Sequence, residues 1–154
     1  AAARQDPDFL IIARTDARTN HGVEEAIRRA RLYEQAGADI IFVESLESVE
    51  EMRMVNETIA KPTIANMVET GRTPLLTAAQ LQEIGYDMVV FPISTLFVAA
   101  KAVYDMLMDL RANGTTRNCL DEMMSFSQFN DFIGLPLVRE LEENRFDSVA
   151  KKLR

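Results

Sequence analysis

The chain predicts an α/β fold of four successive βα units with parallel strands, followed by a helical tail. Three observations predict it. Short, continuous apolar runs alternate with segments of helical periodicity. Successive runs lie about 25 to 30 residues apart, the length of a βα unit. Beyond residue 117 only helical patterns remain. Strand–helix alternation calls for a parallel sheet with right-handed crossovers, and continuous apolar runs suit strands covered on both faces. Half of a barrel and a doubly wound sheet both satisfy these patterns.

The first strand is Phe9-Leu10-Ile11-Ile12-Ala13, bounded by Pro7 and by the polar Arg14-Thr15-Asp16. A helix from Val23 to Ala36 follows, with Val23, Ala26, Ile27 and Ala30 at helical spacing and Gly37 as its stop. Ile40-Ile41-Phe42-Val43 is the second strand. Ser48 caps the next helix, which runs to Ala60 with Glu50 and Glu51 in its first turn. Pro62-Thr63-Ile64-Ala65 is the third strand. The polar loop Glu69-Thr70-Gly71-Arg72-Thr73-Pro74 leads to a helix from near Thr77 to Gly85. Met88-Val89-Val90-Phe91 is the fourth strand, stopped by Pro92, and a long helix spans Thr95 to Ala112. From Asn118 the helical tail is broken at Gly134 and Pro136. Its Leu120, Met123, Met124, Phe126, Phe129, Phe132 and Ile133 form an apolar surface too rich for water, which packs on its own domain or docks on another chain.

Composition narrows the function classes. With 47% hydrophobic and 27% charged residues, the chain is globular in character. A net charge of −7 opposes binding to nucleic-acid phosphates. No apolar run approaches the roughly 20 residues that span a bilayer. The opening residues Ala1 to Gln5 lack a signal-peptide core and read as the end of a helix. The single cysteine, Cys119, forms no internal disulfide and points to a cytoplasmic location. It has no histidine near it in sequence, and His21 reads as a surface or capping residue. Nucleotide-binding glycine patterns and zinc spacings are absent.

In parallel α/β folds, ligands bind at the C-terminal ends of strands. The residues just past the four strands are Arg14, Glu44, Asn66 and Ser94. Together they suit an oxygen-rich anion. Arg14 can hold a carboxylate bidentately, Asn66 can donate its amide in a fixed direction, and Glu44 can accept from a substrate hydroxyl or a metal-bound water. An ion pair between Arg14 and Glu44 with a purely structural role is the competing reading, and Ser94 can equally cap the last helix.

Four segments, in order and at the right spacing, resemble the isocitrate lyase/phosphoenolpyruvate mutase family. They are Phe9 to Ala17, Gly37 to Glu44, Ala65-Asn66-Met67-Val68-Glu69 with Gly71 and Thr73-Pro74, and Phe91-Pro92-Ile93-Ser94. The resemblance is nearest the 2,3-dimethylmalate lyase, methylisocitrate lyase and oxaloacetate decarboxylase group. The mutase branch carries a histidine where this chain has Glu44.

The resemblance implies the C-terminal half of a (β/α)8 TIM barrel, residues 1–117 being strands five to eight with their helices. Residues 118–154 would form a helical tail exchanged with a neighbouring subunit of a homo-oligomer. It implies a Mg2+-dependent carbon–carbon lyase that cleaves a 2-hydroxy dicarboxylate, such as an alkylmalate, to a 2-oxoacid and a carboxylate. Arg14 and Glu44 would be catalytic, with Arg14, Asn66 and Ser94 binding substrate. The metal ligands and the acid/base loop belong to the half of the family barrel not matched here, so no metal ligand is expected in this chain beyond Glu44 through water. On this view the chain alone is inert and needs the missing half or another subunit. Oxaloacetate decarboxylase and methylisocitrate lyase are the alternatives within the family. Phe97 stands where methylisocitrate lyases look to have an arginine, which favours a smaller dicarboxylate. Outside catalysis, the alternatives are a self-associating half-barrel and a doubly wound binding domain.

Overall fold

The computed structural model describes residues 1–152. Ile12–Thr15 (β1) pairs in parallel with Ile40–Val43 (β2), Ile12 opposite Ile40 and Thr15 opposite Val43. Ile64–Asn66 (β3) pairs in parallel with Met88–Val90 (β4), Asn66 opposite Val90. A parallel bridge between Ile41 and Thr63 joins the two pairs. The strands therefore follow one another in chain order.

Local chemistry sets the helix ends. Arg18–Gln35 (α1) is kinked at Gly22, whose φ of 83° and ψ of 172° separate a short first turn from the amphipathic stretch that starts at Val23. Val49–Thr58 (α2) begins where the Ser48 hydroxyl accepts the Glu51 N–H. Ala78–Ile84 (α3) opens with a reciprocal box between Thr77 and Gln80. It closes at Gly85, which has φ 113° and where a Cβ would stand 3.2 Å from the Asn56 Cβ, so only glycine suits the position.

The core lies between β2, β3 and these helices. Ile41, Leu46, Met52, Val55, Met67 and Leu81 are fully buried, and Ala26 and Ala30 let α1 approach the sheet closely. Each of the larger side chains contributes about 2 kcal/mol by burial. Double-faced covering holds for β2 and β3 but not for the outer strands, where Ile12 is 51% and Val90 41% exposed.

Several strand boundaries differ from the sequence expectation. Phe9 and Leu10 are exposed and outside β1. The ladder starts only where Asp39 begins, its N–H donating to the Ile11 carbonyl (2.9 Å) and its carboxylate accepting the Ile11 N–H (2.8 Å). Arg14 thus lies within β1, and Asn66 is the last residue of β3 rather than the first beyond it. Ala1 to Gln5 include a turn closed by the Arg4 N–H on the Ala1 carbonyl (3.0 Å).

Two compact units divide at residue 98, Ala1–Val98 and Ala99–Arg154. The helix Ser94–Asn113 (α4) runs across that division. The second unit continues with a 3₁₀ helix at Arg117–Glu122, then Phe126–Phe132 (α5) and Leu135–Lys152 (α6). Gly134 (φ 75°) breaks the tail as expected. Pro136 does not, because it sits in the first turn of α6, where its missing N–H has no intrahelical partner to lose. Leu153 and Arg154, the last residues of the expected tail, lie outside the described residues. Phe126, Phe132 and Leu120 are 84%, 73% and 60% exposed. Among the described residues no helix is long and apolar enough to cross a membrane.

Candidate active site

Arg14 stands on the uncovered face of β1 opposite Phe42, with its guanidinium carbon 4.9 Å from the centre of that ring. Glu44 directly follows β2, and its N–H extends the ladder by donating to the Thr15 carbonyl (3.0 Å). The ladder brings the two side chains together: Arg14 Nη2 is 3.2 Å from Glu44 Oε2. Asn66, ending β3, donates Nδ2 to the same Glu44 oxygen at 3.1 Å. Three of the four expected site residues, on three successive strands, therefore share one carboxylate oxygen. Ser94 does not join them. Its hydroxyl donates instead to Glu69 Oε1.

Three neighbours were not among the expected site residues. Asp16 takes Arg14 in a bidentate grip, Nη2 to Oδ1 at 2.7 Å and Nε to Oδ2 at 3.1 Å. The i, i+2 spacing of Arg14 and Asp16 along a strand was a readable sign of this pair. Phe42 was readable only as strand core. Glu69 lies three residues beyond β3 in the turn closed by the Gly71 N–H on the Val68 carbonyl (3.0 Å), where hydrophobic periodicity carries no signal.

The electrostatics follow from these contacts. The Asp16 hydrogen bonds, assisted by the Glu44 charge and opposed by burial, raise the Arg14 guanidinium above its ordinary value. Arg14 in turn lowers the Asp16 carboxyl. The Ser94 hydroxyl holds Glu69 below the usual carboxylate range. Among the described residues, two buried acceptors have no protein partner, Asn66 Oδ1 and Glu69 Oε2. An unmatched buried acceptor costs about 1–3 kcal/mol, so each invites a donor. Ser45 and Thr70, each at φ 61°, directly follow Glu44 and Glu69. Left-handed backbone at a non-glycine residue stores strain.

The loop after Glu44 is held firmly. Leu46 is 2% exposed, and Arg18 pairs with both Glu47 (2.5 Å) and Glu51 (2.7 Å). Cys119 and His21 take no part in these contacts. Burial, with Asp109 adding its charge, pushes the Cys119 thiol up and away from the reactive thiolate. His21 is exposed in the first turn of α1.

These residues do not by themselves fit Mg2+. The ion takes about six oxygens in octahedral array. Among the described residues there is no group of three or more His, Cys, Asp or Glu able to hold a metal. Glu44 Oε2 already faces the Arg14 cation and the Asn66 amide.

Residues 1–111 match the family model described as phosphoenolpyruvate phosphomutase. The chain is 51% identical over 141 residues to 2,3-dimethylmalate lyase of Eubacterium barkeri, covering 92% of this chain and 49% of that protein. It is 42% identical over 138 residues to a 2-methylisocitrate lyase of Halalkalibacterium halodurans, covering 90% and 46% respectively. Oxaloacetate acetylhydrolase in complex with its product oxalate superposes with a TM-score of 0.79 at 32% identity, over 90% of this chain and 47% of that one. Phosphonopyruvate hydrolase in complex with oxalate and Mg2+ gives 0.76 at 28% identity, over 92% and 51%. The chain spans about half the length of the curated relatives it matches.

Proposed function

The chain belongs to the phosphoenolpyruvate phosphomutase/isocitrate lyase family, and from this we propose that it forms one part of a carbon–carbon bond lyase acting on a 2-hydroxy dicarboxylate such as an alkylmalate. The observation that carries this reading is the Arg14–Glu44–Asn66 set on three adjacent strands. Cleavage between the hydroxyl-bearing carbon and its neighbour leaves a 2-oxoacid and the enolate of a carboxylate. Arg14 is the cation beside which that enolate charge develops, and a preorganised charge is the strongest help an active site gives. Its grip on Asp16 is surface-exposed, worth about 0–1 kcal/mol, so a substrate carboxylate displaces Asp16 at small cost. Asn66 and Arg14 hold Glu44 in one orientation, as an acceptor for the substrate hydroxyl or a bound water. Ser94 acts at one remove, through Glu69.

Consecutive parallel strands joined by right-handed crossovers place their helices on one side. A doubly wound sheet reverses strand order instead. The observed order thus supports four units of a (β/α)8 barrel, with residues 1–117 as the barrel portion and 118–154 as a tail docked on a neighbouring subunit of a homo-oligomer. The exposed Phe126 and Phe132 support the docking. Mg2+ is the proposed cofactor of the assembled enzyme, with its ligands and the acid/base group coming from residues beyond these 154, in a longer chain or another subunit. The cytoplasm is its proposed location.

Action on oxaloacetate is the second reading, favoured by the likeness to oxaloacetate acetylhydrolase. Methylisocitrate cleavage is disfavoured by Phe97, an apolar residue where a third carboxylate would want a cation. The deciding experiment is release of 2-oxoacid from 2,3-dimethylmalate, malate and oxaloacetate by the assembled protein with Mg2+. Turnover of none of them would overturn the lyase reading and leave a self-associating, noncatalytic half-barrel.

A further inference from the structure

Glu44 is oriented through both of its carboxylate oxygens. Arg14 and Asn66 meet Oε2, and the Ser45 hydroxyl donates to Oε1 at 3.4 Å. Ser45 reaches that oxygen from a left-handed backbone, φ 61°, which a non-glycine residue keeps only where its surroundings over-determine it. Those surroundings can be traced. The loop is tied at its start by the Glu44 N–H on the Thr15 carbonyl (3.0 Å) and at its end by the Glu47 N–H on Glu51 Oε2 (2.8 Å). Leu46 is buried between the two ties. Glu51 is itself held by Arg18, from the start of α1. Nε donates to Oε2 at 3.0 Å and Nη2 to Oε1 at 2.7 Å, a planar fork on a carboxylate. The third nitrogen, Nη1, lies 2.5 Å from Glu47 Oε1. One guanidinium thus grips both the last residue of the loop and the carboxylate that pins it. Arg18 and Glu51 are mostly shielded from water, which strengthens their attraction. Arg72 also faces Glu47, but at 3.9 Å and from an exposed position, and it does not reach Glu51 to replace the fork.

We propose that Arg18 is a positioning residue: by fixing Glu51, and through it the Glu47 N–H, it keeps the loop after β2 in the conformation from which Ser45 steadies Glu44. Arg18 touches neither Glu44 nor the reacting atoms and acts only through that loop. The inference rests on the lyase reading above, in which Glu44 is catalytic, and assigns what holds Glu44 on aim.

The test is 2-oxoacid release by the assembled, Mg2+-loaded protein from whichever of 2,3-dimethylmalate, malate and oxaloacetate the wild type cleaves. It is followed with enzyme in excess, so that slow variants are still read. Arg18→Gln is expected to lower kcat/KM about 10- to 100-fold, the scale of a misplaced catalytic group. In a Glu44→Gln background the same replacement should cost at most about twofold, because no carboxylate is left to aim. Where Glu44→Gln leaves no turnover, Ser45→Ala, which deletes the hydroxyl on Glu44, supplies the second background with the same expectation. Glu51→Gln removes one limb of the carboxylate that Arg18 grips. It should repeat the pattern, and it carries the test if Arg18→Gln does not fold. A merely structural clamp lowers the thermal midpoint and costs turnover by the same factor in every background, and that outcome overturns the assignment. Full activity in Arg18→Gln overturns it as well. A wild type that cleaves none of the three acids overturns the lyase reading, and this assignment with it.

Discussion

Asn66 donates its side-chain amide to Glu44 Oε2 at 3.1 Å across adjacent strand ends, the same oxygen that lies 3.2 Å from Arg14. One acceptor thus aligns two donors. Asn66→Ala removes a charge-assisted hydrogen bond worth about 1.5–3 kcal/mol and frees Glu44 to rotate. We expect kcat/KM to fall about 10- to 100-fold, with the thermal midpoint lowered by several degrees. Asn66→Asp is expected to do more harm, because it faces one carboxylate with another. Steady-state kinetics of the two variants against the wild type checks this, and an unharmed Asn66→Asp removes Asn66 from the site.

Arg14→Ala should lower kcat/KM by about 10²–10³-fold, the usual loss when a preorganised charge is removed from beside a developing anion. Stability should shift by less than about 1 kcal/mol, since the Asp16 and Glu44 pairs are largely exposed on the arginine side. Lysine should restore little, because it lacks the planar fork. Undiminished turnover in Arg14→Ala would falsify its catalytic role.

The capping role of Ser48 is separable from chemistry. Ser48→Ala leaves the Glu51 N–H without its acceptor and is expected to cost about 1 kcal/mol, or about 2–4 °C in Tm for a chain of this size. Thermal melts followed by circular dichroism measure it, with Ser48→Asp predicted to recover the loss.

Acid should destabilise the fold through its paired carboxylates. Arg28 and Arg29 bring Glu25 down to about 2, and Asp39, Glu51 and Glu69 are lowered as well, chiefly by hydrogen bonds from Ile11, Arg18 and Ser94. A carboxyl that is more acidic when folded contributes fully above its unfolded value and loses that contribution as pH falls through its folded value. Stability is therefore expected to be flat above about pH 5 and to decline steadily toward about pH 2. Chemical denaturation across this range provides the check, and a decline that begins near neutrality would point to another group.

Substituting serine for Phe126 and Phe132 tests the docking of the tail. Both rings are mostly exposed within the chain, so their loss should barely alter its own stability. Each is expected to weaken subunit association by about 1–2 kcal/mol, as buried aromatic anchors do. Light scattering on dilution reads this directly. Unchanged assembly with a lowered melting temperature would show that the rings pack within the chain.

Hydropathy located every strand but misjudged where some begin, the first most of all. Phe9 and Leu10 are as apolar as the residues of β1, yet a strand needs a partner, and β2 offers none before Asp39. Helix ends were better marked, because Ser48, Thr77 and Gly85 each meet a backbone requirement through their own atoms. Arg14, Glu44 and Asn66 were legible as neighbours because parallel strands in register put equivalent positions side by side. Glu69 was not. Its place depends on a turn and on the left-handed Thr70, which no periodicity records. The same holds for Ser94, whose partner is set by how that turn meets the start of α4.

The two left-handed residues carry a consequence for laboratory evolution. Ser45 and Thr70 would each be more comfortable as glycine, so a screen for heat resistance alone would drift toward glycine at both positions. Each replacement would also loosen the peptide that aims Glu44 or Glu69. Lineages selected for hardiness should therefore lose activity first, and only a screen scoring both properties would keep the serine and the threonine.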